Sequence, residues 1–215
     1  ASCLGSGMGP TAMRVAGVAE ALAELGYEVE DHGDVAPGQI EGLAPSFTGL
    51  AKFPAEVVAW VRAIDAEVTK VLEHGALPVT LGGDHSLSMG SVRAAARQAR
   101  KLGRKLFLLW LDAHPDFNTP ATSPSGNMHG MSVAALCGEF DLETLGALPE
   151  APLLDPANVL MFGIRSIDAA ERNLLRSRKI GVVDMRLIDE HGVMRLLRPF
   201  LARVADEDGL LHVSL

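Results

Sequence analysis

Residues 110–130, W-L-D-A-H-P-D-F-N-T-P-A-T-S-P-S-G-N-M-H-G, carry side chains whose types and spacing can do chemistry. The segment starts as the end of an apolar run over 106–111, then delivers Asp112, His114 and Asp116 at every second position. In an extended segment, side chains two residues apart point to the same side. Two carboxylates and an imidazole therefore converge just beyond the carboxyl end of a strand. Pro115 has no N–H to give a ladder, so regular pairing stops there. Ligands of this hard-to-borderline character suit a divalent metal such as manganese. His85, in G-G-D-H-S, has the same placement after a second apolar run and joins the cluster as a fourth ligand. Its neighbour Asp84 either orients a ligand from behind or holds the turn. Two histidines and two carboxylates exceed what a single structural zinc site requires. A metal pair sharing a carboxylate uses all four and lowers the pKa of a bridging water, which points to metal-assisted hydrolysis.

The loop that follows offers Asn118, Ser123, Ser125 and Asn127, neutral amides and hydroxyls. Thr-Pro and Ser-Pro-Ser-Gly-Asn are ordinary turn chemistry. At the rim of a metal site, however, the same groups can hold the carboxylate and amine of an amino acid. His129 falls outside the two-residue alternation, so proton transfer suits it better than metal ligation. Asp168 and Glu171 have the D-x-x-E spacing of a capping box, which spacing alone favours over a second use, binding a cationic α-amine.

The elements that must position these groups alternate between strand and helix. Helical spacing marks 10–25, 54–74, a third helix ending at 102, a helical piece over 130–137, then 169–178 and 192–204. Apolar strands are expected at 76–81, 106–111, 158–162, 180–183 and 210–215, with a short one at 27–30. Residues 31–53 and 138–157 look like loops. Near-continuous apolar strands between helices predict one domain over 1–215, an α/β fold with a mainly parallel sheet covered on both faces. Ligands in such sheets bind beyond the carboxyl ends of the strands, where His85 and Asp112 both lie.

Composition narrows the function. The 215 residues are 48% hydrophobic, enough for a well-buried core, and the formal net charge is −8. That balance argues against nucleic-acid and anionic-membrane partners, which need a basic face. No apolar run reaches the length of a membrane span. Cys3 and Cys137 make no disulfide framework, and buried thiols in a cytoplasmic protein are the expectation.

Assembled in this order, G-G-D-H-S at 82–86, D-A-H-P-D-F-N-T-P at 112–120, S-G-N-M-H-G at 125–130 and G-P-T-A-M-R-V-A-G at 9–17 resemble the ureohydrolases, and among them the arginases. The resemblance implies a three-layer α/β/α fold with two Mn2+ ions, hydrolysing L-arginine to L-ornithine and urea through a metal-bridging hydroxide. It implies that His85 and Asp116 bind one manganese and His114 the other, with Asp112 bridging. Asn118, Ser125 and Asn127 match contacts to the substrate α-carboxylate. Ser123 stands where arginases often have threonine and keeps the hydroxyl. His129 matches a proton shuttle, and Asp168 and Glu171 match contacts to the α-amine. A homotrimer or homohexamer in cytoplasmic arginine catabolism is also implied. The loop favours arginine over agmatine, which has no α-carboxylate to hold. The family pattern continues with an Asp-x-Asp and a glutamate beyond Leu215. The chain is therefore expected to be cut at both ends, and to bind manganese poorly and turn over slowly by itself. The alternatives are a sister hydrolase acting on agmatine, guanidinobutyrate or formiminoglutamate, and a non-catalytic binding protein on the same fold.

Overall fold

The structure is a computed structural model and describes residues 6–38, 49–140 and 153–215. Four parallel strands form one sheet: β1 (Leu106–Leu111), β2 (Val159–Ile164), β3 (Gly181–Asp184) and β4 (Leu210–Ser214), in the order β3-β2-β1-β4. The helices are α1 (Gly9–Val15), α2 (Val18–Glu24), α3 (Pro54–Glu73), α4 (Ser88–Lys101), α5 (Ser132–Leu136), α6 (Ala169–Arg178), α7 (Met185–His191) and α8 (Val193–Asp206).

Strand parity sorts the core into two layers. Leu106, Leu108 and Trp110 of β1 face one way, against Val92, Ala96 and Ala99 of α4, Leu136 of α5 and Leu175 of α6. Leu109 faces the other way with Leu160 and Phe162 of β2, onto Ile188 of α7 and Leu196, Leu197 and Phe200 of α8. The sheet is thus sandwiched, as continuous apolar strands require. Outside α4 lies α3, which contributes Val57, Val58 and Val61 against Met89. The two helices come close because Gly90 has no side chain. A Cβ there would stand 2.7 Å from the Val61 carbonyl oxygen. Arg97 of α4 then clasps Asp65 of α3 with two nitrogens, at 2.8 and 2.6 Å.

Several expectations need correction. The helix expected over 10–25 is two helices, because Gly17 takes φ +83 at the start of α2. That backbone setting costs glycine little and breaks the run. Residues 27–30 and 76–81 are not strands; Leu77 and Val79 are exposed there. A strand needs a neighbouring backbone to complete its ladder, and among the described residues these two segments have none. Helix α7 is an addition to the expected elements, although its signal is local: Asp184 Oδ1 accepts the Leu187 N–H at 2.9 Å and caps it. Cys137 is a buried free thiol, and Cys3 lies outside the described residues. Among the described residues no helix is long and apolar enough to cross a membrane.

Candidate metal and substrate site

The carboxyl ends of β1 and β2 and the start of α4 meet at one place, and each delivers part of the site. Beyond Leu111 the chain leaves the sheet, and two sets of backbone contacts hold its new course. The Ala113 carbonyl accepts the N–H groups of Arg165 and Ser166, at 2.9 and 3.0 Å, which ties the end of β2 to the motif. The Asp116 carbonyl accepts the Val133 N–H at 3.0 Å. Asp116 sits at φ 49, in the left-handed region. Such a setting is uncommon for a residue with a side chain, and an Asp tolerates it better than most.

His85 arrives from the other direction. Asp84 caps the short turn His85–Leu87 by accepting the Ser86 N–H at 3.0 Å, and it also takes the Ser86 hydroxyl. Of the two roles open to Asp84, holding the turn is the one the geometry displays. The Ser132 hydroxyl lies 3.0 Å from the His85 carbonyl and 2.8 Å from that of His129, so it joins both arms of the site. The Trp110 ring stands 4.2 Å from the imidazole of His85, tilted by 39°. Trp110 shares the parity of Asp112 and His114, and that parity is the signal from which its position beside the site could have been read.

His85 Nδ1 lies 2.8 Å from Asp112 Oδ2 and 3.3 Å from Asp116 Oδ2. The ligand atoms of all three residues fall within 4.8 Å of one another. His114 stands outside that group, on the far side of Asp112. There the other Asp112 oxygen, Oδ1, faces His114 Nδ1 at 3.6 Å and accepts the His114 N–H at 3.2 Å. Asp112 thus lies between two imidazoles, one partly buried and one exposed. Burial alone would lower the His85 pKa, but the two carboxylates outweigh it and raise it to about 9. Burial pushes the Asp116 carboxyl up, with the neighbouring Asp112 charge adding to the push. For Asp112, burial acts in the same direction but is outweighed by hydrogen bonds from His85 and the His114 N–H, so its pKa is lowered. Two carboxylates around one imidazole nitrogen form an oxygen-rich, electron-rich pocket that a divalent cation fits, and nitrogen–oxygen ligation of this type suits Mn2+.

The loop after Asp116 lines the same cavity, of about 1150 Å³, with Asn118, Ser123, Ser125, Asn127 and His129. Its shape is pinned from outside by 50–52, where the N–H groups of Leu50 and Lys52 donate to the carbonyls of Pro120 and Gly126, each at 2.7 Å. The Ser123 hydroxyl accepts the Gly126 N–H at 3.0 Å, and that of Ser125 accepts the Asn127 N–H at 3.2 Å. With its oxygen engaged as acceptor, each hydroxyl keeps its proton to donate, which suits an incoming carboxylate. Asn118 is buried and donates from Nδ2 to Asp168 Oδ2 at 3.1 Å. His129 is exposed, with Nδ1 3.9 Å from Asp84 Oδ2, and it is not among the converging ligand atoms.

Asp168 and Glu171 form the capping box of α6, and both also border the cavity. Glu171 is buried at 4% exposure, its Oε1 accepting the Phe117 N–H at 2.8 Å and its Oε2 the Asp168 N–H at 3.4 Å. It therefore holds the Asp116–Asn118 turn and the start of α6 together. Sequence spacing displays the cap but not the bond to Phe117, which spans 54 positions. The eleven residues expected to ligate metal, bind substrate or transfer a proton all border this one cavity, and Asp84 does too. Thr122, which no spacing rule singles out, sits behind Asn118; its hydroxyl donates to Asn118 Oδ1 at 3.0 Å.

Comparison with known proteins finds relatives across nearly the whole chain. A model of the arginase family matches residues 2–215. The arginase of Brucella melitensis is 49% identical over 212 residues, covering 98% of this chain and 68% of the relative. The arginase of Agrobacterium fabrum is 43% identical over 208 residues, covering 97% of this chain and 63% of that protein. Among solved structures, the arginase of Bacillus cereus superposes with a TM-score of 0.85 at 36% identity, over 98% of this chain and 68% of that one. The arginase of Bacillus caldovelox gives 0.84 at 36% identity, over 97% and 68% respectively.

Proposed function

The chain belongs to the arginase family, and from that premise we propose that it serves the hydrolysis of L-arginine to L-ornithine and urea at a Mn2+ pair. The observation that carries the proposal is the meeting of His85 Nδ1, Asp112 and Asp116 beside a loop whose hydroxyls have protons left to donate. His85 and Asp116 would hold one ion, His114 the other, and Asp112, facing both imidazoles, would lie between them. A bound pair of such ions supplies the Lewis acidity that makes water a nucleophile near neutral pH.

The chain's own residues do the rest. Ser123, Ser125, Asn127 and the amide of Asn118 bind the α-carboxylate. Asp168 takes the α-ammonium, and Glu171 contributes from behind by fixing both Asp168 and the Phe117 backbone. Held at that end, the substrate extends its guanidinium toward Asp112 and His114. His129, exposed at the rim, carries a proton on an imidazole nitrogen to the departing δ-amine, which leaves as ornithine. We further propose a homotrimer or homohexamer acting in the cytoplasm on free arginine. The acidic balance of the chain fits a small-molecule substrate rather than nucleic acid.

The test is urea release by the Mn2+-loaded protein, expressed with any residues that follow Leu215 in the natural chain and offered L-arginine and agmatine side by side. Urea from arginine alone is the expected result. Urea from agmatine alone would overturn the carboxylate role of the loop while leaving the metal site standing. Bound metal without urea from either compound would favour a binding protein on the same fold.

A further inference from the structure

Thr122 is part of no metal or substrate contact described above, and it does not line the cavity. Its hydroxyl nevertheless occupies a decisive place. The Thr119 N–H donates to Thr122 Oγ1 at 2.9 Å, and Thr122 Oγ1 donates to Asn118 Oδ1 at 3.0 Å. At the other end of the same carboxamide, Asn118 Nδ2 donates to Asp168 Oδ2 at 3.1 Å. Of the acceptors within reach of the Thr122 proton, the Asn118 oxygen is nearer than the Thr119 hydroxyl at 3.3 Å and the Thr119 carbonyl at 3.5 Å, so an amide with its oxygen toward Thr122 is the well-paired arrangement. A reversed amide would set its oxygen against the Asp168 carboxylate, acceptor to acceptor. Thr122 and Asp168 therefore agree on one orientation of Asn118.

We propose that Thr122 is a positioning residue for amino-acid recognition: through its hydroxyl it fixes the Asn118 carboxamide with its NH2 group toward the cavity. The inference rests on the role given above to Asn118 and Asp168. One hydrogen of Asn118 Nδ2 goes to Asp168; the second is available to the α-carboxylate of the substrate. Asn118 then touches the site of each charge of the zwitterion, donating to the carboxylate and to the acceptor of the ammonium. When an α-ammonium draws on the Asp168 carboxylate, the hold of Asp168 on Nδ2 is shared. The bond from Thr122 is not shared with the ligand, so it keeps the amide oxygen on the far side. Without it, Asn118 Oδ1 is a buried acceptor lacking a partner, and the side chain is free to turn to find one.

The test measures binding rather than turnover. The Mn2+-loaded protein is titrated calorimetrically with L-ornithine and with 1,4-diaminobutane, the same diamine lacking the carboxylate. Wild type should prefer ornithine by about tenfold or more. Thr122→Val, which keeps the shape and loses the hydroxyl, should weaken ornithine about five- to tenfold and leave the diamine within about twofold. Thr122→Ser should restore ornithine to within about twofold of wild type. Thr122→Ala, which introduces no new atoms, is measured alongside and should repeat the selective loss if Thr122→Val does not fold. Equal weakening of both ligands would mean general loosening and would overturn the proposal, as would an undiminished preference for ornithine in both variants. A wild type without any preference would instead overturn the carboxylate role of the loop, and this inference with it.

Discussion

Replacing Glu171 with alanine separates a structural brace from a substrate contact. Its Oε1 is the acceptor for the Phe117 N–H, and Phe117 is fully buried between Asp116 and Asn118. Leaving a buried N–H without a partner costs about 1–3 kcal/mol, and losing half of a capping box adds roughly 0.5–1 kcal/mol. Glu171→Ala should therefore destabilise the protein by about 1.5–4 kcal/mol, a large share of the stability of a typical domain. Glu171→Gln behaves differently. Burial pushes the Glu171 carboxyl up to about 7, from 4.5 in the unfolded chain. The fold holds a proton there that the unfolded chain releases, so this group's stabilisation is full below about pH 4.5 and declines as pH rises through about 7. The amide of Gln keeps the acceptor for Phe117 and never ionises. Glu171→Gln should lie within about 1 kcal/mol of wild type at pH 5 and improve relative to it by pH 8. The assay is urea unfolding of metal-free protein, followed by circular dichroism at both pH values. Glu171→Ala within about 0.5 kcal/mol of wild type, the ordinary scatter of surface substitutions, would refute the brace. A large loss in Glu171→Gln at pH 8 would refute the electrostatic part.

Three further outcomes follow from the same geometry. Asp112 faces both imidazoles, so Asp112→Asn should weaken Mn2+ at both positions by about tenfold or more, whereas His114→Asn weakens one; equilibrium dialysis counts the ions, and identical losses from the two variants would overturn the bridging role proposed for Asp112. Gly90→Ala places a Cβ 2.7 Å from the Val61 carbonyl and 3.1 Å from the Asp65 nitrogen, so despite alanine's better helix propensity it should cost about 1–3 kcal/mol by denaturant unfolding; a stabilised variant would contradict the close approach of α3 and α4. Burial pushes the Cys137 thiol up to about 12 from 9, so stability from this group is full below pH 9 and is lost as pH rises toward 12; Cys137→Ala, whatever its packing cost, should show a shallower decline between pH 8 and 10.5, and parallel curves would count against it.

What can be read from the sequence divides along the range of the forces involved. The two-residue alternation of Asp112, His114 and Asp116 needs only an extended backbone, and the strand that launches it is apolar on both faces, so its place in the sheet follows. Helix α6 begins where its local signal puts it, after Asp168, and ends at the expected place although Lys179, not a glycine, takes the left-handed φ of 57 there. The segments at 27–30 and 76–81 depart from expectation for the opposite reason, since an extended stretch becomes a strand only with a partner backbone beside it. Which partner is present is not written in the segment itself.

The site shows the same division at the level of single side chains. Types and spacing nominate the ligands, because a metal demands particular donor atoms, but they say nothing of what holds those atoms still. Glu171 reads as a cap from its three-residue spacing to Asp168; its bond to Phe117 depends on α6 docking beside the β1 motif. Thr122 is invisible to the same reasoning because a threonine in a Thr/Pro/Ser-rich loop has an ordinary turn role. Its spacing to Asn118, four residues, is a weak clue until the loop closes and places hydroxyl against carboxamide. The groups that touch ligand are constrained by chemistry and so leave a pattern in the sequence. Those that aim them are constrained by shape, and many residue types could serve. Sequence therefore nominates the contacts proposed for this site, and the fold is needed to identify their supports.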